Sequence, residues 1–226
     1  MLPAMNDADF ASLGLRERKK LMTRQAILDV AAEMFGERGF DNVTVAEIAD
    51  AVNISAKTVF VYFPAKEDLV FAGEPEMREL ILASIRDRAP RATPLEAMAA
   101  FLRTQIAASA ASAASGTGLI AELDRLRRAV GHSSVLQARL RLMWEHFEIA
   151  LAQLLAEETA TLPTAPAPRV AAGQLIMICR LLGSEEIGAH LRTGPKNKQR
   201  AALLNWLDES VRFVGDGLDD YAPRAT

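Results

Sequence analysis

The chain has 226 residues, half of them hydrophobic and 24% charged, which suffices for one sizeable core or two smaller ones and excludes wholesale disorder. A formal net charge of −3 excludes a uniformly basic nucleic-acid binder, and aromatics at 6% beside abundant alanine and leucine point to helix. A single cysteine, Cys179, excludes an internal disulfide; with no apolar run of membrane-spanning length and no signal-like character in residues 1–14, a cytoplasmic location is expected.

Residues 1–15 read as a flexible arm. From Arg16 to Arg38, Leu21, Ile27, Leu28, Ala31, Met34 and Phe35 recur with helical spacing, and Gly39 follows as a residue able to take positive φ. Arg16, Arg18, Lys19, Lys20 and Arg24 cluster with Glu17 alone among them, although residues 16–70 carry eight Lys/Arg against nine Asp/Glu. That cluster fits a solvated helix start or a backbone-binding arm. Thr44-Val45-Ala46-Glu47 is a capping box that opens a second helix, running to about Val52. Asn53 stands where a tight turn needs the left-handed region, and Ser55 caps a third helix over Ala56–Tyr62. Pro64 ends that helix, and a fourth is expected from about Ala65, with Glu67 and Asp68 in its first turn.

Three short helices, the second and third joined by a sharp turn, make a helix-turn-helix pattern. On helical spacing, residues 57, 58, 61 and 62 share one face, while 59, 60 and 63 fall largely on the other. Val59 and Phe63 therefore read as core and Phe60 as packing, which leaves Lys57, Thr58, Val61 and Tyr62 outside. An outward valine among polar neighbours suits a major groove, where it meets a thymine methyl.

The segment RQAILDVAAEMFGERGFDNVTVAEIADAVNISAKTVFVYFPAKEDL resembles the N-terminal domain of the TetR family of bacterial transcriptional regulators. The likeness covers roughly residues 16–72, carried by AAEMFGERGF, TVAEIADAVNIS and TVFVYFPAKEDL in order. Asn53 stands where the family usually has glycine, and Phe60 where many members have a phosphate-contacting tyrosine. The resemblance implies that Lys57 and Val61 meet base edges, and that Thr44, Ser55, Thr58, Tyr62 and Lys66 contact phosphates, although capping alone explains Thr44 and Ser55. It gives Arg16, Lys19 and Lys20 a place on the flanking DNA backbone. It also implies a homodimer, with reading helices about 34–36 Å apart on operator DNA.

Beyond residue 72 the expectation is an all-α effector-binding and dimerisation domain over 73–220, with a tail at 221–226. Gly73 and Pro75 read as a break, where an effector-induced change would pass, and Glu76–Arg88 as a helix. Thr93-Pro94-Leu95-Glu96 combines an N-cap, a proline at the first position and a capping glutamate. The alanine-serine run 107–116 reads as a linker or as a helix with a small-residue face, the upstream periodicity favouring the helix. Leu119–Val130 and Val135–Glu158 follow, the second capped by Ser133 or Ser134, with Leu136, Leu140, Met143, Phe147 and Leu154 on one stripe. Residues 161–168 read as a loop. Val170–Leu191 is apolar nearly all round, and Lys198–Leu218 carries an apolar face.

The resemblance implies that the last two helices pair with their copies through Ile176, Leu203, Leu207, Val211 and Val214; the residues alone fit a monomer core equally well. It also implies a small-molecule pocket, for which Phe101, Gln105, Leu123, Met143, Trp144, Phe147, Met177 and Arg180 are candidates beside their ordinary reading as core. Arg180, if buried, needs a partner: a ligand acid, Glu185 or the partner subunit. The Leu, Met, Phe and Trp content suggests a lipophilic, acyl-like effector. His132, His146 and His190 lack metal-ligand spacing, and no nucleophile-elbow, metalloprotease, P-loop or dinucleotide pattern is present. No catalytic residue, metal or cofactor is expected. The reading is a DNA-binding regulator released by an effector, or one without an effector.

Overall fold

A computed structural model describes residues 12–111, 119–131, 133–191 and 195–217, and those residues form helices joined by turns. In chain order they are α1 (Leu15–Arg38), α2 (Val45–Ala51), α3 (Ala56–Tyr62), α4 (Glu74–Arg86), α5 (Pro94–Ala111), α6 (Leu119–Val130), α7 (Ser134–Glu158), α8 (Pro166–Leu182), α9 (Glu185–Leu191) and α10 (Lys196–Asp216). Single 3-10 turns lie at Phe40–Asn42 and Lys66–Leu69.

The chain divides into two compact units, the first formed by Met1–Glu76 and Arg128–Leu140. Its core is Ile27, Leu28 and Ala31 of α1, Val43, Ile48 and Ala49 at α2, Val59 and Phe63 at α3, and Leu69. Each large apolar side chain so buried contributes roughly 1.5–3 kcal/mol relative to exposure. The return segment is tied in by polar contacts. Ser133 Oγ donates to Asp41 Oδ1 at 3.0 Å, and the Arg139 guanidinium pairs with Glu74 while lying 4.8 Å from the Phe71 ring centre.

The second unit, Met77–Arg127 and Arg141–Thr226, is held by larger side chains. Met98, Leu102 and Ile106 of α5 and Met143, Phe147 and Leu151 of α7 are all essentially inaccessible to solvent, as is Leu207 of α10. Trp144 meets Phe147 edge-on, with ring centres 5.6 Å apart. Its ion pairs include Arg88 to Glu158 and Arg103 to Asp208, each at 2.7 Å. Cys179 of α8 is fully buried, its Sγ 3.7 Å from Met98 Sδ, and burial pushes its thiol pKa up to about 12.

Several expectations about helix limits need correction. Lys66–Leu69 makes a single 3-10 turn, with the Ala65 amide donating to Asp68 Oδ2 at 2.9 Å, and no α-helix starts at Ala65. Pro75 does not break a helix; it occupies the first turn of α4, where a missing N–H costs nothing. The apolar stretch 170–191 is two helices, α8 and α9, separated at Gly183-Ser184. Residues 166–168, expected in a loop, open α8 for the same reason that Pro75 opens α4. The helix over the alanine-serine run is described as far as Ala111; the rest of the run, residues 1–11 of the arm and Leu218 lie outside the described residues.

Two proposed interface residues, Ile176 and Leu207, are core: they are 3% and 0% exposed. Periodicity could not separate the inward from the outward stripe on helices that carry apolar residues on both. The outward apolar residues are instead Val170 and Met177 of α8 and Phe213 of α10, while Leu203, Val211 and Val214 are half-buried.

Candidate nucleic-acid interface

Local hydrogen bonds fix the geometry of α2 and α3. At the start of α2 the Thr44 amide donates to Glu47 Oε2 at 2.7 Å and the Glu47 amide to Thr44 Oγ1 at 3.2 Å. The Thr44 hydroxyl and amide, with the Arg38 guanidinium beyond them, hold the Glu47 carboxyl at about 2, well below its ordinary 4.5. Arg38 also bonds Asn42 O at 2.9 Å, so the end of α1 and the start of α2 share one cap.

Between α2 and α3 the chain turns at Asn53, whose φ is +59°, and the Ile54 amide reaches back to Ala49 O at 2.9 Å. A short amide side chain tolerates this left-handed conformation where most residues do not. Ser55 then caps α3: its hydroxyl accepts from the Thr58 amide at 3.1 Å and lies 2.8 Å from the Thr58 hydroxyl.

The outward face of α3 differs from the one expected. Val59 and Phe63 are buried, as predicted, but Phe60 does not pack: it is 47% exposed, beside Val61 at 75%. The face presented to solvent is therefore Lys57, Phe60 and Val61, spaced at i, i+3 and i+4. Thr58 and Tyr62 are half-buried on its flank, Tyr62 packed against the core of the first unit. The helix is rotated by about one residue from the wheel drawn on sequence, because Tyr62 rather than Phe60 turns its ring towards the core.

The first unit also carries cations on α1 and after α3. Arg16, Lys19 and Lys20 lie exposed on α1, close together at helical spacing. Arg24 of the same cluster has an internal job, its guanidinium 3.3 Å from Ala72 O and 5.1 Å from the Phe63 ring centre. Lys66 is similarly engaged: Nζ donates to Phe40 O at 2.6 Å and sits 4.1 Å from the Phe40 ring centre. That contact explains the lysine structurally, and sequence reasoning assigned it to phosphate alone.

The effector candidates fall into a buried set and an exposed set. Leu123, Met143, Trp144 and Phe147 are buried and Phe101 is half-buried. Gln105 accepts the Leu119 amide at 3.1 Å and so caps α6. Met177 and Arg180 point outwards on α8, so the Arg180 guanidinium is solvated and not buried. Met177 instead lines an open groove of about 780 Å³ with Gln174, Leu181, Trp206, Phe213 and Val214.

No helix among the described residues is long and apolar enough to cross a membrane, and no group of His, Cys, Asp or Glu among them is arranged to hold a metal. Residues 27–72 match the family model described as bacterial regulatory proteins, tetR family. The regulator TcmR of Streptomyces glaucescens is 34% identical over 90 residues, a match covering 40% of this chain and only 40% of that protein. BetI of Rhizobium meliloti is 27% identical over 201 residues, covering 86% of this chain and 92% of BetI. Among solved structures, NalD of Pseudomonas aeruginosa, the secondary repressor of the MexAB-OprM multidrug efflux pump, superposes with a TM-score of 0.55. It is 20% identical and covers 85% of this chain and 96% of its own, a likeness of fold.

Proposed function

Because the chain belongs to the TetR family of bacterial regulators, we propose that it is a homodimeric, DNA-binding transcriptional repressor. The observation that carries this reading is α3 itself, a capped helix after a left-handed turn that presents Lys57 and Val61 outwards. Thr44, Ser55, Thr58 and Tyr62 carry hydroxyls suited to phosphates, and Arg16, Lys19 and Lys20 supply charge for the backbone. NalD, whose fold is similar, is a repressor.

The dimer reading is supported by the α8–α10 surface, where Val170, Met177 and Phe213 are 58%, 45% and 42% exposed. Pairing of two such surfaces removes that apolar area from water. Val170→Asp combined with Met177→Asp is expected to convert a species of twice the chain mass into monomer in sedimentation equilibrium.

Selection from random duplexes with the full chain, followed by titration of the chosen operator over a salt series, tests the DNA-binding reading. Submicromolar, sequence-selective binding with a slope on the order of −5 to −9 is expected. Lys57→Ala should weaken it about 5- to 150-fold. Recovery of no preferred sequence would end the proposal. Control by a lipophilic effector is the extension of this reading, with Phe101, Leu123, Met143, Trp144 and Phe147 as the pocket wall. Its test is release of operator by medium-chain acyl compounds, titrated with and without DNA, because coupling must act equally in both directions.

A further inference from the structure

The outward face of α3 carries one charge and two large apolar side chains. Lys57, Phe60 and Val61 share it at helical spacing, and the two apolar members are 47% and 75% exposed. Exposed apolar residues scattered singly are ordinary on a protein surface. These two are adjacent, and they lie on the helix that the helix-turn-helix geometry delivers to a major groove. Neither has a polar side-chain atom, so neither can bond a phosphate or the donors and acceptors of a base edge.

Of the groups lining a major groove, one rewards an apolar side chain: the 5-methyl of thymine. Guanine, adenine and cytosine offer polar atoms there, and covering those with a phenyl or isopropyl group strips their water without replacing its hydrogen bonds. Lys57 is the complement, a donor suited to guanine O6 and N7. One helical turn rises about 5.4 Å and one base step about 3.4 Å, so Phe60 and Val61 fall one or two base pairs from the base that meets Lys57.

Resting on the DNA-binding reading above, we infer that Phe60 and Val61 are specificity-determining residues that recognise thymine methyl groups, so that each operator half-site places thymines within two base pairs of a guanine taken by Lys57. An apolar ring at position 60 makes the half-site dependent on a methyl group.

The test uses the operator selected with the full-length chain. Each thymine is replaced in turn by deoxyuridine, which removes the methyl and leaves base pairing intact. Affinity should fall about four-fold per methyl at one or two positions in a half-site, and about fifteen-fold when one such position is changed in both half-sites. Phe60→Ala and Val61→Ala should each bind the thymine operator more weakly than the wild type and lose discrimination between thymine and deoxyuridine at one of those positions. Equal affinity of the wild-type chain for every deoxyuridine operator would overturn this inference and leave DNA binding intact. Failure of the selection itself would remove the DNA-binding reading and this inference together.

Discussion

The α2–turn–α3 segment and the α8–α10 pair are built on different principles. In the first, helix ends are set by residues within four positions of each other: Thr44 with Glu47, Asn53 at its positive φ, Ser55 with Thr58. In the second, α8 follows Ala165 and α10 follows Pro195 with no side-chain cap, and each buries one apolar stripe while exposing another. Short-range hydrogen bonds define the ends of α2 and α3. Helix faces that carry apolar residues on both sides take their roles from what packs against them.

Truncating the packed core should hurt most. Phe147→Ala leaves a cavity in the second unit and is expected to cost about 3–5 kcal/mol in denaturant unfolding. A loss below about 1 kcal/mol would mean that this unit collapses around the gap, and the contrast with the locally fixed α2–turn–α3 segment would weaken. Asn53→Val forces a β-branched residue into the left-handed region and should cost about 1–2 kcal/mol, with selective DNA binding lost sooner than helix content. Unchanged binding would show that the turn does not aim α3.

Thr44→Ala should cost about 1 kcal/mol through the lost cap. It also carries a pH signature. The Glu47 carboxyl titrates near 2 in the folded chain against 4.5 ordinarily, so its stabilising contribution is complete above 4.5 and disappears as pH falls towards 2. Denaturation midpoints across that window should fall less steeply in Thr44→Ala than in the wild type; parallel curves would count against the cap as the cause. The smallest effect is expected for Arg180→Ala, within about 0.5 kcal/mol, because the side chain is exposed. A larger loss at high protein concentration would place Arg180 in a subunit contact.

The same contrast governs what could be read from sequence. The capping box at Thr44, the turn at Asn53, the cap at Ser55 and the stop at Gly39 are spelled by adjacent residues, and the structure keeps all four. Even there, the face of α3 was misjudged by about a residue. A seven-residue helix has two turns, and its wheel does not say whether Phe60 or Tyr62 turns towards the core. Beyond residue 72, Thr93 and Glu96 were equally legible, their mutual bonds lying at 2.8 and 3.2 Å. Ile176, Leu207, Met177 and Arg180 were not, since helices apolar on two sides give no rule for choosing the inner one. The return of residues 128–140 to the first unit has no sequence signal at all; it rests on Ser133 with Asp41 and Arg139 with Glu74, contacts spanning 92 and 65 positions.

Cys179 offers a use that its burial creates. Its thiol is sealed in α8 and held protonated by a pKa near 12, so it reacts with a disulfide reagent only when the second unit opens. The chain has no other cysteine. The wild-type molecule therefore contains a single-site stopwatch for breathing of that unit. Its labelling half-life would rank ligands, operator DNA and core substitutions by how long they keep the door shut, without any engineered probe.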